Sequence, residues 1–274
     1  MTVPAARLPR TEPPEDPLLG GTANRGLVFR VGNTVRRPIR ETSASTHALL
    51  RHLAAVGFAG APRFLGIDDQ GREVLSYVPG EAVTPPYPAW ALTDEALDSV
   101  VRLLHDYHDA VSTFNAAGYA WPRAVPPPFG GGVVSHNDPN LDNVVFRDGR
   151  AVALIDFDLA SPGSAVWDVA ATARLWAPLR LDRDIADARR GRALSRLRRV
   201  VDAYHLTEAD RAVVADAVLC NHDWCYDIVR HGAESGHAGY TAYWLQAVQR
   251  AHRTRRWYVH NMDVLRAVVM TTVE

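Results

Sequence analysis

The sequence has few of the features that mark secreted, membrane or nucleic-acid-binding proteins. Only two of its 274 residues are cysteine, Cys220 and Cys225, which excludes a disulfide-framework protein and favours a reducing compartment. No apolar run approaches the ~18 residues that a membrane helix needs. The 30 basic and 31 acidic residues leave a formal net charge of −1, so no net charge attracts nucleic acid or an anionic membrane. We therefore expect a cytoplasmic protein with neither of these partners.

The first 17 residues are rich in proline and lack the apolar segment of a secretory signal. Each proline removes a backbone donor and fixes φ, so this segment is predicted to be an extended or disordered tail, residues 1–17.

Short β-rich patterns follow the tail. The segments LVFRV and TVRR, joined by Gly32-Asn33, predict a β-hairpin. The segment HALLRHLAAV predicts one helix, and PRFLGI and REVLSYV predict two more strands. Residues 18–80 are therefore predicted to form a small, mostly antiparallel sheet that carries one helix.

Helical periodicity dominates the rest of the chain, residues 81–274. Thr93 is predicted to cap one helix, and Thr207 with Asp210 begins another that reaches about Glu234. The predicted fold is therefore α+β and bilobal, with a small β-rich N-terminal lobe and a larger, mostly helical C-terminal lobe. A cleft between two lobes is a usual place for a ligand.

The residues with the clearest chemistry lie between positions 133 and 160. Asp138 precedes Asn143 by five residues, and Asp156 follows the apolar run AVALI. Phosphoryl transfer requires a carboxylate that orients the attacking hydroxyl and oxygen ligands for Mg²⁺, which these residues supply. The alternative is two hairpin turns with solvated Asp and Asn, residues that favour turns in any case.

Three segments of this region resemble one enzyme family. SHNDPNLDN resembles the H-x-D-x-x-x-x-N catalytic loop of the aminoglycoside phosphotransferase family, which includes choline-kinase-like enzymes and is related to protein kinases. IDFD is similar to the metal-binding segment of that family, and PGSAVWDVA to the stretch that follows it. The resemblance covers roughly residues 18–229 and is strongest over 133–170.

The resemblance implies roles for individual residues. Asp138 is implied to be the catalytic base, and Asn143 and Asp156 to hold Mg²⁺. His136 is implied to brace the loop and, with Asp138, to belong to the catalytic set. Asp158 is implied to support the metal site.

Further implied roles lie outside the metal-binding segment. Asp168 is implied to anchor the helix behind the catalytic loop. The resemblance also implies that backbone groups around Ser76, Tyr77 and Val78 bind the base of the nucleotide, ATP or GTP.

The sequence departs from the family at the phosphate-contacting lysine, where it has TVRRP. Arg36 or Arg37 must serve there, and the alanine–x–lysine spacing of kinases favours Arg36, which shares a strand face with Thr34. Alignment of the first helix places Thr46 where the family has the partner glutamate. The Lys–Glu pair is therefore expected to be absent, so Arg36 finds another partner or phosphate positioning is weakened.

The acceptor is less well defined by the sequence. A small molecule with a hydroxyl group is expected, and a cationic acceptor is one option because Asp223 and Asp227 lie near one face of a long helix. An ordinary solvated helix face, with Arg230 paired to Asp227, is the favoured interpretation of these acids.

Three functions compete. The leading hypothesis is a small-molecule kinase that moves the γ-phosphate of a nucleoside triphosphate to a hydroxyl. The alternative is a catalytically impaired kinase fold that binds a ligand or partner, suggested by the missing Lys–Glu pair. A protein kinase is the third, and the absence of an A-P-E pattern after IDFD counts against it.

Overall fold

The N-terminal part of the chain forms a five-stranded antiparallel sheet. A computed structural model describes residues 13–18 and 26–271. The strands are β1 (Glu15–Pro17), β2 (Phe29–Val31), β3 (Thr34–Pro38), β4 (Phe64–Ile67) and β5 (Arg72–Ser76), in the spatial order β1-β2-β3-β5-β4. The predicted hairpin is β2–β3, and Gly32 in its turn has φ 59°, a conformation that glycine adopts at little cost.

At the C-terminal end of the tail that was predicted to be extended or disordered, the structure shows an extended, paired segment. Residues 1–12 lie outside the described residues, but Glu15–Pro17 pairs with β2 as an edge strand. Proline is tolerated there because the outer side of an edge strand needs no ladder hydrogen bond. The Arg72 guanidinium also binds the Glu15 carboxylate, with Nη2 2.7 Å from Oε1.

One helix, α1 (Ser43–Ala55), packs against this sheet, as the pattern of the sequence predicts. Leu49, Leu50 and Leu53 are at most 1% exposed and form its inner face. Val56, the last residue of the segment HALLRHLAAV, follows the end of the helix and is 49% exposed.

A short connection joins the sheet to the rest of the molecule. After β5 the chain turns at Gly80 (φ 147°), and a Cβ at this position would lie 2.5 Å from the carbonyl oxygen of Phe146. The next strand, β6 (Glu81–Ala82), belongs to a different sheet. The backbone therefore passes between the lobes in close contact with the C-terminal lobe.

The C-terminal lobe is mainly helical. Its helices are α2 (Asp94–Val111), α3 (Ala165–Trp176), α4 (Ala193–Ala203), α5 (Glu208–Glu234) and α6 (Ala238–Met270). Both predicted caps are present, because the Thr93 hydroxyl accepts from the Ala96 N–H and the Thr207 hydroxyl from the Asp210 N–H, each at 3.2 Å.

The segment that precedes α3 contains four short strands. They are β7 (Val133–Ser135), β8 (Val144–Arg147), β9 (Arg150–Leu154) and β10 (Ser161–Gly163). They form a β6-β8-β9 sheet and a β7-β10 pair, both antiparallel. The predicted α+β bilobal fold is therefore confirmed. Within the described residues, no helix combines the length and apolarity that crossing a membrane requires.

Candidate active site

A buried carboxylate on α3 fixes the loop that follows β7. Asp168 accepts hydrogen bonds from the backbone N–H groups of His136 and Asn137, at 2.6 and 2.8 Å. The same carboxylate, which is fully buried, lies 3.1 Å from Nε2 of His108 on α2. Asp168 therefore anchors the loop to two helices of the C-terminal lobe.

Asn137 holds a strained position in this loop. Its φ of 70° is left-handed, which a residue with a Cβ adopts only when its surroundings require it. Its Nδ2 donates to the Leu159 carbonyl at 2.7 Å, and its Oδ1 accepts from Nε1 of Trp167 at 2.8 Å. The side chain thus ties the loop to the segment after β9 and to α3. In the sequence, nothing distinguishes Asn137 from the neighbouring polar residues. Its importance becomes visible only from its backbone conformation in the structure.

The His136 side chain contacts the backbone beside both candidate carboxylates, Asp138 and Asp156. Its Nε2 donates to the Ile155 carbonyl at 3.0 Å, which leaves Nδ1 to accept from the Asp138 N–H at 3.4 Å. The side chain is fully buried, and burial lowers its pKa. His136 is therefore placed to position Asp138 and Asp156, with no exposed surface through which it would touch a ligand.

Asp138 lies at the C-terminal end of the anchored turn. Its Oδ2 and its backbone carbonyl both accept from Nδ2 of Asn143, at 2.9 and 3.0 Å. Burial raises the pKa of Asp138 to about 7, with smaller contributions from Asp156 and Asp142 that Arg174 and Asn143 oppose. The amide oxygen of Asn143 is not used in these two contacts.

Asp156 follows β9 in a left-handed conformation, with φ 60°. Its Oδ1 accepts from Nη1 of Arg37 at 3.1 Å. Burial and the neighbouring Asp158 raise its pKa, and Arg37 opposes them. A strained backbone at a carboxylate that faces a cavity is typical of a functional site.

The structure places Arg37, and not Arg36, at the cleft, so the choice of Arg36 is wrong. Arg36 pairs with Asp68 on the opposite face of β3, with Nη1 3.1 Å from Oδ2. Arg37 lines the cleft together with Val35, because alternate residues of a strand share a face. The alanine–x–lysine spacing therefore corresponds to Val35-x-Arg37. The chain contains no lysine at all, so arginine supplies every fixed positive charge.

The buried guanidinium of Arg37 contacts three carboxylates. Its Nε lies 2.6 Å from Oε1 of Glu73, which faces it directly across β3 and β5. Its Nη1 and Nη2 reach Asp156 and Asp158, at 3.1 and 2.9 Å. Burial alone would lower the pKa of Arg37, but Asp158, Asp156 and Glu73 together raise it. Asp158 also pairs with Arg40, with Nε 3.1 Å from Oδ2.

Glu73 replaces the partner glutamate that the first helix lacks. Its second carboxylate oxygen lies 2.6 Å from Nε2 of His47, the neighbour of Thr46 on α1. The Thr46 hydroxyl donates to the carbonyl of Phe157 at 3.5 Å. Thr46 is therefore no partner of the arginine, and the pair with a helix glutamate is absent as expected. Of the two expected consequences the structure shows the first, another partner for the arginine, although that arginine is Arg37 and the carboxylate comes from β5.

Two cavities meet at these residues. The first, of about 320 Å³, lies between the lobes and is lined by Ser76, Tyr77 and Val78, by Arg37, and by apolar side chains of both lobes. The second, of about 210 Å³, extends towards α5 and α6 and contains Asp138. Asp142, Asn143 and Asp156 line both. Asp158 lines only the second.

The two acids that the sequence offered for an acceptor site lie elsewhere. Asp223 and Asp227 line a third cavity beside the loop around Arg123. Asp223 pairs with Arg255 at 2.9 Å, and Asp227 with Arg230 at 2.8 Å. Their role as acceptor ligands is therefore wrong for the cavity that contains Asp138, and the expected Arg230 pair is present.

Asp142 and Arg174 line the site and were not identified from the sequence. Burial raises the pKa of Asp142, and its Oδ1 is buried with no hydrogen-bond partner in the described part of the chain. Its place beside Asn143 was the only sequence feature that could have indicated it. Arg174 stands in a helix whose pattern gives no sign of a cavity.

The sequence is similar to those of known proteins. The model of the phosphotransferase enzyme family matches residues 115–204. The trifolitoxin immunity protein of Rhizobium leguminosarum bv. trifolii is 32% identical over 263 residues, which cover 92% of this chain and 97% of that protein. The chain therefore belongs to the phosphotransferase enzyme family.

Solved structures share the fold at low sequence identity. A choline/ethanolamine kinase family protein from Mesorhizobium loti superposes with a TM-score of 0.61 at 16% identity, covering 94% of this chain and 92% of that one. The GDP complex of aminoglycoside 2′-phosphotransferase-IIIa gives 0.55 at 14% identity, covering 95% and 94%. Both have the kinase-like bilobal architecture described above.

Proposed function

We propose that this protein is a small-molecule kinase that transfers the γ-phosphate of ATP or GTP to a hydroxyl group, with Asp138 orienting that hydroxyl. The observation that carries the proposal is the meeting of the two cavities at Asn143 and Asp156, with Asp138 only on the α5–α6 side. A nucleotide between the lobes and an acceptor beyond it would then meet at the site where phosphate is transferred.

The cavity between the lobes suits a nucleotide. Val35, Leu75 and Ile155 offer apolar surface for a base. Among hydrogen bonds between described residues, none involves the backbone of Val78, whereas the Tyr77 N–H donates to the Asn33 carbonyl at 2.9 Å. The Val78 backbone would therefore be available to a base, and Arg37, which lines the same cavity, to its phosphates.

The donor set fits Mg²⁺, an ion that prefers carboxylate and amide oxygens and completes its shell with water and phosphate. Asp156 would supply a carboxylate and Asn143 its amide oxygen, since Nδ2 of Asn143 is committed to Asp138. No group of three or more His, Cys, Asp or Glu in the described residues forms a ready metal site, and a site shared with phosphate needs none. When bound, the ion would neutralise charge on the phosphates.

Asp138 would act on the acceptor by accepting and orienting the hydroxyl proton. The Asn143 amide holds its carboxylate, and the anchored turn fixes its backbone. Positioning of this kind contributes much of the catalysis in phosphoryl transfer, because the protein does little covalent chemistry. The relatives' names support this class of reaction, since one belongs to a choline/ethanolamine kinase family and another is a phosphotransferase bound to GDP.

A second candidate is immunity to a toxic compound, suggested by the name of the relative at 32% identity. Such immunity would come either from phosphorylation of the compound or from binding alone. Expression in bacteria sensitive to trifolitoxin separates the two. Protection that disappears with Asp138→Asn supports phosphorylation, and protection that survives it supports binding.

The proposal is tested first by a thermal-shift titration with Mg·ATP and Mg·GTP, repeated with EDTA. A ligand at ~100 times its Kd stabilises by ~2.7 kcal/mol, which for a domain of this size raises Tm by roughly 5–8 °C. The shift should depend on the metal and be lost in Asp156→Ala, or in the milder Asp156→Asn. The exposed turn variant Asp148→Asn is the matched control. No metal-dependent shift with either nucleotide would contradict the proposal.

A further inference from the structure

One tyrosine lies between the cavity that contains Asp138, the acceptor cavity, and the larger third cavity. The acceptor cavity has a volume of about 210 Å³, and the third cavity, beside the loop around Arg123, about 710 Å³. Tyr226 on α5 lines both, and no other residue in the described part of the chain does so. Tyr226 therefore marks the place where the two cavities adjoin.

The neighbours of Tyr226 along α5 divide between the two cavities. Three of them line the acceptor cavity and three line the third cavity, in that order Cys225, Ile228 and Val229, then Asp223, Asp227 and Arg230. Because an α-helix turns by about 100° per residue, these two sets lie on opposite sides of position 226. Tyr226 thus projects from the strip of α5 that separates the two cavities.

Contacts from both helices hold the Tyr226 side chain at this boundary. The centroid of its ring lies 4.8 Å from that of His222 and 6.4 Å from that of Trp244. Its hydroxyl is hydrogen-bonded to Tyr243 and Arg250 of α6. The ring is therefore kept between the two cavities by α5 and α6 together.

A second tyrosine of the acceptor cavity is also held in place. Tyr240 on α6 lines that cavity and packs against Gly232 of α5, where a Cβ would overlap its ring. Tyr240 therefore cannot move towards α5 to make room. At about 210 Å³ the acceptor cavity is smaller than the roughly 300–1,000 Å³ of sites for drug-sized ligands, so it suits a compact molecule.

We propose that Tyr226 determines the size of the acceptor, because its ring ends the acceptor cavity and admits only a compact hydroxyl compound beside Asp138. The inference rests on the proposed function, since it assigns the substrate class of the same site and the residue that selects it. Removal of the ring would join the acceptor cavity to the third cavity, and a longer acceptor would then extend towards Asp223 and Asp227.

The two cysteines of the chain allow this boundary to be tested without a known acceptor. Cys225 lines the acceptor cavity and Cys220 the third cavity. The full chain is treated with methyl methanethiosulfonate or the bulkier benzyl methanethiosulfonate, and tandem mass spectrometry gives a rate for each thiol. In Tyr226→Ala the ratio of the benzyl rate to the methyl rate at Cys225 should rise by about tenfold over the parent.

Tyr226→Phe is the matched control, because it keeps the ring and loses only the hydroxyl contacts, and its ratio at Cys225 should equal that of the parent. Cys220 should keep one ratio in all three proteins, since it lines the larger cavity in each. The Mg·ADP shift should persist in Tyr226→Ala, because Tyr226 does not line the cavity between the lobes. If Tyr226→Ala does not fold, Tyr226→Val replaces it.

Hydroxyl probes of two lengths test the consequence for the acceptor. 1,3-Propanediol and 1,8-octanediol are titrated at millimolar concentrations into the full chain saturated with Mg·ADP, and Tm is measured. Each additional CH₂ that becomes buried strengthens binding by about fourfold. The affinity of the longer diol relative to the shorter one should therefore rise in Tyr226→Ala and stay at the parent value in Tyr226→Phe.

Two results would overturn the inference. One is a benzyl-to-methyl ratio at Cys225 that is equal in the parent and in Tyr226→Ala. The other is an equal response of these two proteins to the diols, including no response to either. Failure of the proposed function has a different signature, which is loss of the Mg·ADP shift in the parent. The thiol rates require no nucleotide, so they still report on the boundary in that case.

Discussion

Arg37 and Glu73 face each other across β3 and β5, with Nε 2.6 Å from Oε1, and both side chains are buried. The other oxygen of Glu73 reaches His47 on α1. The sheet and the helix of the N-terminal lobe are thus joined at the arginine that also contacts Asp156 and Asp158. A glutamate on a strand, with a histidine on the helix, connects these elements in place of a glutamate on the helix itself.

Replacement of Arg37 should weaken nucleotide binding. Arg37→Gln removes the only side-chain cation of the described residues that line the cavity between the lobes, and we expect the Kd for Mg·ADP to rise at least tenfold. Isothermal titration calorimetry measures this. Arg37→Lys keeps the charge but cannot bridge three carboxylates, so an intermediate Kd is expected.

Arg36→Gln is the control for that experiment, since its pair with Asp68 lies on the other face of the sheet. In this variant the Asp68 carboxylate keeps its contact with Arg72, so the Kd should stay close to that of the parent and the loss of Tm should be small. Equal losses in Arg36→Gln and Arg37→Gln would contradict the assignment of Arg37 to the phosphates.

Replacement of Glu73 should destabilise the N-terminal lobe. Glu73→Gln leaves Arg37 and His47 without their buried carboxylate, and loss of one member of a buried ion pair costs about 3–5 kcal/mol. Urea unfolding should therefore show a marked loss relative to Glu81→Gln, which changes an exposed glutamate of β6. A Glu73→Gln protein as stable as the control would mean that the contacts among these three residues are weak.

The strand face on which Arg37 lies could have been predicted from the sequence. In TVRRP the only aliphatic side chain is Val35, and the face that carries it is the one that packs inward. The residue two positions after Val35, on the same strand face, is Arg37. The residue two positions after the polar Thr34 is Arg36, which was therefore chosen on the wrong face. The segment REVLS has the same property, since Glu73 alternates with the buried Leu75. The error came from the choice of strand face.

Other parts of the site could not be predicted in this way. The loop residues from 136 to 143 and the IDFD segment were recognisable because their spacing is local. The cavity that contains Asp138 is lined by residues of α3, α5 and α6, so Arg174, Tyr226 and Tyr243 come together only in three dimensions. The acids at 223 and 227 satisfied a helical spacing but face a different cavity. A helix pattern gives the faces of one helix but not the element that each face contacts.

Asp168 is predicted to stabilise the loop by accepting its two backbone amides. In Asp168→Asn one of these donors or His108 would meet an amide N–H instead of a carboxylate, and we expect a loss of about 3 kcal/mol, or roughly 6–10 °C in Tm. The matched control is Asp106→Asn, at an exposed position of α2. If Asp168→Asn does not fold, His108→Gln alters the contacts of His108 with Asp168 and Tyr204 but leaves both loop amides bound to the Asp168 carboxylate, and it should give a smaller loss. An unchanged Tm in Asp168→Asn would contradict the anchoring role.

Asp138→Asn should separate turnover from binding. The amide preserves the shape of the side chain but cannot accept the hydroxyl proton, and a positioned base is worth about 10²–10⁴ in rate. Until an acceptor is identified, slow hydrolysis of Mg·ATP or Mg·GTP, with water as acceptor, serves as the measurement. We expect that rate to fall by at least a hundredfold while the Kd for Mg·ADP changes little, because Asp138 lines only the cavity on the α5–α6 side. Asp148→Asn, the same substitution in an exposed turn, should retain the full rate. Hydrolysis that persists unchanged in Asp138→Asn would remove Asp138 from the reaction and favour a kinase fold that binds its ligand without transferring phosphate.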